Sequence, residues 1–542
     1  MLKARLPGPK PLPYIVLAGL LIAIFVHAAL ARTSTFGHSP GPGDNSWRLN
    51  SDFALVAARN WYFSGPWKLG FKSYVWHVRD RSDFLKPAYI SYPPLYVAIP
   101  WLISVAKGTI PSTVLLHILA YAAQILSALL LAFWICRLAE RAGTPTWAGV
   151  AHGLAAGAIW ISLPVAMDFF QNIWWPDTLV LPLYLAALLA ETAPYKRRAK
   201  KNFRLCFFAL ACLGVFSEWL FCFLLFALWF KRLTNRTEPG DKRLWPELLL
   251  PVLLVFCFQL AQVLSEPTGW EMLCFKLLQR TGISPHRGHL NLPAIFHYLG
   301  TYESWWVAAF LVSLPLILAA FLLRHRLAPR PRELSEAAFL LSAPLVLHLS
   351  LFREHYIDHA YTWLKFGLLS AFVPFALVPL ALGCLANPRR IASFALATAA
   401  LAASLLATRA HFAAHAANPT FYSNLPQVRQ EQCDAFAQVP WKEDFFVSPN
   451  FGTFSSFRQF EKGHPEMTSE AAAACHRTIY WTPTLDRVHV YAHLMRWRES
   501  QRVSAVFMGS PPADWLPYLR KDTLRRTARL EIYELESGRF LK

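Results

Sequence analysis

The chain has 542 residues, of which 55% are hydrophobic and only 16% charged, with a formal net charge of +20 and a mean hydropathy of +0.30. An average soluble domain carries roughly 25% charged residues, so a soluble fold of this composition would expose large apolar patches, and lipid is the natural cover for the surplus. The positive charge does not point to nucleic acid, because Lys and Arg collect in short gaps between apolar runs, where they are retained on the cytoplasmic side of a membrane.

The N-terminus MLKARLPGPK is basic and leads into an apolar stretch from Leu12 to Ala31. Its length of about 20 residues suits a first membrane span better than a signal-peptide core. Further apolar runs predict spans at 112–136, 146–166, 176–193, 203–216, 218–230, 246–264, 304–323, 335–352, 365–386 and 391–408, about eleven in all. The pair at 203–230 is short, with Ser217 and Glu218 between its halves, and reads as a candidate re-entrant hairpin.

With the N-terminus inside, alternation places every strongly basic gap inside, among them Lys196 to Lys201, Lys231 to Arg243, Arg324 to Arg332, and Arg389 with Arg390. The opposite loop 167–175 has no Lys or Arg, and loop 353–364 has only Arg353. Three larger segments then face outward: 32–111, 265–303 and a tail of roughly 130 residues from 409 to 542. The expected organisation is a transmembrane domain over 1–408 and a soluble extracytoplasmic domain over 409–542.

In the first outer segment, Asp52 to Phe63 has the pattern of an amphipathic helix. Pro93 to Ala106 is apolar but too short and proline-broken to span, and suits the membrane surface. In the tail, 502–509 and 529–536 read as strands, and 465–477 and 486–499 as helices, which together predict a small α+β domain. The nine cysteines form no CxxC pair; only Cys433 and Cys475 lie in the tail, where an oxidising compartment would allow a disulfide.

Carboxylates near the outer boundary are the informative residues, since a charge there is costly unless solvated, paired or metal-bound. Asp52 opens a helix, a position that also favours Asp for local capping alone, and Asp44 looks like a turn residue. Asp168 and Asp177 flank an aromatic loop in which Trp174 and Trp175 suit an interfacial belt. Asp177 follows Pro176 at the start of a span, so it too can be a cap. The stretch FREHYIDHAYTWLKFG (352–367) crowds Arg353, Glu354, His355, Asp358, His359 and Tyr361 into one short loop. Such a set could bind a metal, could bind phosphate through Arg353 and Lys365, or could be a solvated loop. No GxxxxGK[ST], GxGxxG, HExxH or GxSxG motif occurs.

Four elements in this order carry a resemblance. They are SDFALVAARNWYFSGPWKLG (51–70), SYPPLYVAIPWL (91–102), WWPDTLVLPLYLAALL (174–189) and HAYTWLKFGLLSAFVPFAL (359–377). Respectively they are similar to the acid and surface helix of a first outer loop, a Pro-Pro-Leu-Tyr element, a Pro-Asp or Pro-Glu second loop, and a His-x-Tyr stretch leading into a span. Together they resemble the polyprenyl-phosphate-dependent glycosyltransferases of the GT-C fold, the class of protein O-mannosyltransferases and the lipid A aminoarabinose transferase. Two departures stand out. The family often has Asp-Glu where this chain has Asp52-Phe53, and Lys or His where it has Tyr92.

The resemblance implies an α-helical polytopic membrane enzyme, an inverting hexosyl or pentosyl transferase that moves a sugar from a polyprenyl-phosphate donor to an extracytoplasmic lipid, glycan or protein. On that basis Asp52 is the expected general base and Asp177 orients the acceptor, the two together holding any divalent cation. Arg59, Lys86, Arg280 and Arg353 are expected at the phosphate, with His359 and Tyr361 lining the donor pocket. Tyr92, Trp174, Trp175 and Asp168 are expected around the acceptor. The expected location is a bacterial inner membrane. A flippase for lipid-linked sugars and a non-catalytic envelope-assembly protein are the competing functions. No repeat of inverted topology is visible, and charges buried in the membrane are expected to be few apart from Glu218, which weighs against the flippase.

Overall fold

The computed structural model describes residues 11–36, 45–74, 88–170, 173–234, 246–266, 269–281, 305–358, 360–382, 390–417, 445–448, 467–468, 479–481, 503–508, 510–526 and 530–535. The chain divides into two compact units, one formed by Met1–His38, Ser91–Leu95 and His117–Asn418, the other by Ser39–Ile90, Tyr96–Leu116 and Pro419–Lys542.

The first unit is helical. Each of the eleven apolar ranges carries helix, and five helices are by themselves long and apolar enough to cross a membrane: Pro11–Arg32, Thr113–Arg141, Pro246–Leu264, Pro331–Leu351 and Tyr361–Ala381. The protein is thus a multi-pass α-helical membrane protein. Other ranges are shorter or interrupted. Trp305–Val312 and Leu314–Leu322 break at Ser313, and the run after Tyr361 passes through a π-turn at Val373–Leu377.

The first helix, Pro11–Phe36, shows how a membrane helix differs from a soluble one. Leu17, Leu21, Ile24 and Ala28 recur on one face and are buried, while Leu12, Ile15 and Leu30 are more than half exposed on the other. Both faces are apolar because lipid, not water, meets the outer one. This helix packs on Thr146–Ser162 and Arg390–Ala417. Thr146–Ser162 presents Gly149, Gly153 and Gly157 at four-residue spacing. A methyl added at Gly153 would lie 2.7 Å from the Ala132 carbonyl oxygen, and one at Gly157 would lie 2.8 Å from Leu21 Cδ2. Small residues here let helix backbones come close, which is what drives helix association where no hydrophobic effect operates. Ser404 Oγ adds a hydrogen bond to the Ala158 carbonyl at 3.0 Å.

The short pair expected at 203–230 is a helical hairpin, Lys201–Val215 and Leu220–Leu233, joined by the turn Phe216–Trp219. Gly214 makes the turn possible, because a Cβ there would fall 2.3 Å from the Phe221 ring. The Ser217 hydroxyl donates to the Gly214 carbonyl at 2.5 Å. The segment Ser91–Leu95 is tied to this turn by Leu95 N–H to Phe216 O at 3.2 Å and Trp219 Nε1 to Ser91 O at 3.1 Å.

A buried charge network also lies in this unit. Glu191 pairs with Arg198 at 2.6 Å, Lys231 at 3.3 Å and Arg232 at 3.1 Å. Lys231 also reaches Glu336 at 3.0 Å, and Arg324 reaches Glu336 at 3.3 Å. The basic members come from three of the gaps where Lys and Arg cluster in the sequence, and the acidic ones from the adjoining helices.

In the second unit, helix Asn45–Ser64 contains the amphipathic stretch, with Ala54 to Ala58 and Trp61 buried. Gly65 ends it with φ of +84°, a left-handed conformation that costs glycine little, and its N–H returns to the Trp61 carbonyl at 3.0 Å. Asn60 Nδ2 and Trp61 Nε1 then hold the following loop through the Tyr74 and Lys72 carbonyls, at 3.2 and 2.8 Å. Leu95–Lys107 is helical despite Pro100, and Trp101 meets Trp61 edge to face.

The tail supplies a six-stranded mixed sheet in the order β2-β3-β1-β4-β6-β5, with β1 Phe445–Ser448, β2 Met467–Thr468, β3 Ile479–Trp481, β4 Val503–Met508, β5 Leu519–Arg526 and β6 Leu530–Leu535. β1 runs parallel to β3 and β4, and the remaining pairs are antiparallel. The expected strands are β4 and β6, which pair from Val503 with Leu535 to Met508 with Leu530. Phe507 is fully buried, packed edge to face on Trp515 and Tyr533. The basic strand β5, LRKDTLRR, sits at the edge, where charge discourages pairing with another chain. One expectation is corrected. Met467–Thr468, placed in a helix over 465–477, forms a strand because Thr468 and Met467 pair with Ile479 and Tyr480. The rest of that stretch, 486–499, Cys433 and Cys475 lie outside the described residues.

Candidate functional site

Three helices and the hairpin turn of the first unit bring titratable side chains to one buried point. Asp177 comes from the first turn of Pro176–Glu191, Glu218 from the hairpin turn, His348 from the end of Pro329–Leu351, and Lys365 from the start of Leu364–Phe372. Asp177, Glu218 and Lys365 are wholly buried and His348 is 1% exposed. Lys365 Nζ lies 2.8 Å from Asp177 Oδ1 and 3.3 Å from Glu218 Oε1.

Local chemistry explains the placement of both carboxylates. Helix Pro176–Glu191 starts at Pro176, whose fixed φ suits a first turn. Its entry is capped by Thr178, whose hydroxyl accepts the Trp175 N–H at 3.1 Å. Asp177 is thereby released from the capping role that its position suggested, and it turns to Lys365 instead. Glu218 spends Oε2 on the Leu220 N–H at 2.8 Å. Each carboxylate thus sits at a helix N-terminus, where the backbone dipole favours negative charge.

His348 Nε2 lies 2.8 Å from Glu218 Oε1, and its Nδ1 lies 2.9 Å from the Tyr356 hydroxyl. A carboxylate accepts only, so Nε2 carries the proton and Nδ1 accepts from Tyr356. Burial holds the Tyr356 phenol well above the ordinary tyrosine range, with the Glu218 and Asp177 charges adding to the effect, so the hydroxyl keeps its proton to donate. Tyr356 is itself fixed by Trp363 and Phe366, whose rings meet it edge to face at 5.3 and 5.6 Å.

An aromatic and basic group occupies the same unit. The Tyr92 hydroxyl lies 2.6 Å from His355 Nε2, and its ring meets Trp175 edge to face at 6.1 Å. The Arg280 guanidinium lies 4.9 Å from the centre of the Tyr92 ring. The Tyr361 ring meets His355 edge to face at 6.0 Å. Asp177 feels Arg280 as well as Lys365 and Glu218, so the basic group beside Tyr92 acts on the same carboxylate.

The residues singled out in the sequence therefore fall into three sets. Asp177, Tyr92, Trp175, Arg280 and Tyr361 come together, with Trp174 buried beside them in sequence and Arg353 half-buried at the start of helix Arg353–Asp358. Arg59 belongs to the second unit, where its Nε donates to the Pro111 carbonyl at 2.9 Å. Lys86 and His359, and the side chains of Asp52 and Asp168, lie outside the described residues; the backbone of Asp52 is in helix Asn45–Ser64 and that of Asp168 in the π-turn Ala166–Phe170. Lys365 is not a free phosphate ligand, because two carboxylates take its charge. Sequence reasoning missed His348 and Tyr356 and read Glu218 only as an isolated charge. A lone His or Glu in an apolar run was the available signal.

The donor set around Asp177 does not suit a divalent cation. The Lys365 ammonium occupies the place between the two carboxylates, 2.8 Å from Asp177 Oδ1, and Asp177 Oδ2 has no hydrogen-bond partner among the described residues. Among the described residues no group of three or more His, Cys, Asp or Glu is arranged to hold a metal.

No protein-family model matches the chain, and no curated protein matches it in sequence. Solved structures do match. ArnT from Cupriavidus metallidurans bound to undecaprenyl phosphate superposes with a TM-score of 0.55 at 10% identity, over 97% of this chain and 98% of ArnT. The apo state of the same protein gives 0.51 at 11% identity, over 96% and 98%. The archaeal oligosaccharyltransferase AglB from Archaeoglobus fulgidus gives 0.46 at 12% identity, over 90% of this chain and 69% of AglB, too loose a match to carry an argument. Across nearly its whole length, then, the chain is similar in fold to ArnT, and that fold is the GT-C fold which its sequence elements resemble.

Proposed function

We propose that the protein is a membrane glycosyltransferase that moves a sugar from a polyprenyl-phosphate donor to a hydroxyl on an extracytoplasmic acceptor. The observation that carries this reading is the buried carboxylate Asp177, held by Lys365 through Oδ1 and with Oδ2 uncommitted among the described residues, beside Tyr92, Trp175 and Arg280 on a GT-C fold. Such a carboxylate is oriented by its partner and has an oxygen placed to accept one further hydrogen bond, which is what an acceptor hydroxyl requires.

In the proposed reaction the acceptor oxygen attacks the anomeric carbon as the bond from that carbon to the phosphate oxygen breaks, inverting the centre. The acceptor proton passes to a carboxylate, Asp52 in this reading, with Asp177 orienting the hydroxyl. The departing polyprenyl phosphate gains one negative charge, and Arg280 and Arg353 are the proposed partners for it. A polyprenyl chain stays in the bilayer because withdrawing it costs about 0.8 kcal/mol per CH₂, so the site must lie at the membrane boundary and the acceptor must come to it. The outward placement of residues 409–542 as a separate soluble domain, and a bacterial inner membrane as the location, belong to the same reading. They rest on the distribution of Lys and Arg between the spans.

The test is a transfer assay in lipid nanodiscs with a panel of polyprenyl-phosphate sugars and cell-envelope extract as acceptor, reading release of polyprenyl phosphate. Release by the wild type that is lost in Asp52→Asn and in Asp177→Asn supports the proposal. No release from any donor by folded, lipid-binding protein overturns it and returns the weight to a flippase or an assembly protein.

A further inference from the structure

A shallow, open cavity of about 680 Å³ lies away from the site, in the first unit, lined by Pro194, Arg197, Lys200, Asn202, Phe203 and Cys206. Its rim and its wall differ in chemistry. The rim carries Arg197 and Lys200, both exposed, with no ion pair to any acidic residue among the described residues. The neighbouring Arg198 is turned the other way, into its 2.6 Å pair with Glu191, so the local carboxylate is already taken. The wall is apolar, formed by Phe203, Cys206 and Pro194.

The wall does not end with the cavity. Helix Lys201–Val215 buries Phe207, Ala211 and Val215 against its neighbours, while Leu205, Ala209 and Leu213 point outward, Leu205 at 56% and Leu213 at 47% exposure. These three recur every four residues, so they form one stripe about 12 Å long that leads from the cavity along the helix. A cationic rim continuous with an apolar track in a membrane helix matches a molecule with an anionic head and an acyl tail.

We propose that this cavity binds an anionic phospholipid, its head-group phosphate held by Arg197, Lys200 and the Asn202 side chain, and one acyl chain lying over Phe203, Cys206, Leu205 and Leu213. The bilayer leaflet at the basic end of this helix supplies it. The site is separate from the Asp177 cluster and is independent of the glycosyl-transfer reading. Its chemistry is recognition of a phosphodiester at a membrane boundary, and no bond is made or broken there.

Native mass spectrometry of the full chain in detergent, with added phosphatidylglycerol or phosphatidylcholine, tests the proposal. The wild type is expected to retain phosphatidylglycerol at least about tenfold better than phosphatidylcholine, as two cations near a membrane surface imply. Arg197→Gln with Lys200→Gln is expected to abolish that preference. Unchanged preference in the double variant overturns the proposal. Inorganic phosphate at millimolar concentration is the second arm: displacement of phosphatidylglycerol by phosphate alone would show a simple anion site and overturn the lipid assignment. Cys206→Trp keeps the charges and fills the wall, so it covers the case in which the double variant fails to fold. It must lower phosphatidylglycerol retention, and full retention overturns the proposal.

Discussion

Lys365 and Asp177 are 188 positions apart in sequence, yet the Lys365 ammonium sits 2.8 Å from Asp177 Oδ1 with neither side chain exposed to solvent. The same ammonium is 3.3 Å from Glu218, so one cation serves two carboxylates. Breaking such a group by removing one member is costly, because the remaining charges lose their counter-ion without regaining water.

Lys365→Met is therefore expected to destabilise the protein by about 3–5 kcal/mol. Adding Asp177→Asn and Glu218→Gln to it should recover part of the loss, since the uncompensated charges then disappear. Thermal unfolding in detergent measures this. A Lys365→Met protein as stable as wild type would show that the pair contributes nothing.

The Glu191 network predicts a similar loss from the opposite sign. Glu191→Gln leaves Arg198, Lys231 and Arg232 facing one another around a neutral amide. The expected cost is about 3–5 kcal/mol, and Lys231→Met in the same chain should relieve some of it. Equal stability of the single and double variants would contradict the coupling.

Gly214 tests the geometry of the hairpin turn. Gly214→Ala puts a methyl group against the Phe221 ring, where the ideal position is only 2.3 Å away. Overpacking of this kind costs about 1–3 kcal/mol. The turn carries Glu218, so transfer activity should fall with stability, and Phe221→Leu should restore both in part. A neutral Gly214→Ala would mean that the ring moves aside freely.

Asp52 separates catalysis from structure. On the proposed reaction, Asp52→Asn lowers turnover by about 10²–10⁴-fold, the usual contribution of a positioned base, with unfolding temperature unchanged. Asp177→Asn should also lower turnover, but with a stability change, because it breaks the Lys365 pair. A variant of Asp52 that keeps more than about a tenth of wild-type turnover would remove it from the role of base.

His348 and Tyr356 make a prediction that needs no substrate. Tyr356→Phe leaves His348 Nδ1 buried without its proton donor, which should cost about 1–3 kcal/mol. Hydrogen exchange of the 353–358 helix should rise in the same variant. Unchanged exchange and stability would mean that the hydroxyl is not part of the network.

What the sequence determined by itself is whatever periodicity and composition encode. Apolar length marked the helical ranges, alternation marked strands β4 and β6, and the ordered motifs around Asp52, Tyr92, Asp177 and Tyr361 pointed to the GT-C fold. Pro176-Asp177 could be read as the start of a helix, but not that Thr178 would take the capping role and leave Asp177 for an ion pair. Only the tertiary structure decided that Glu218, His348 and Lys365, each a lone polar residue within or beside an apolar run, converge on Asp177. Glu218 and His348 are 130 positions apart. A helical period tells which face of a helix is buried but not which partner helix it meets, so a contact between distant helices leaves no local trace. The cost of burying an unpaired charge in a membrane then explains why such lone residues must find one another once the helices pack.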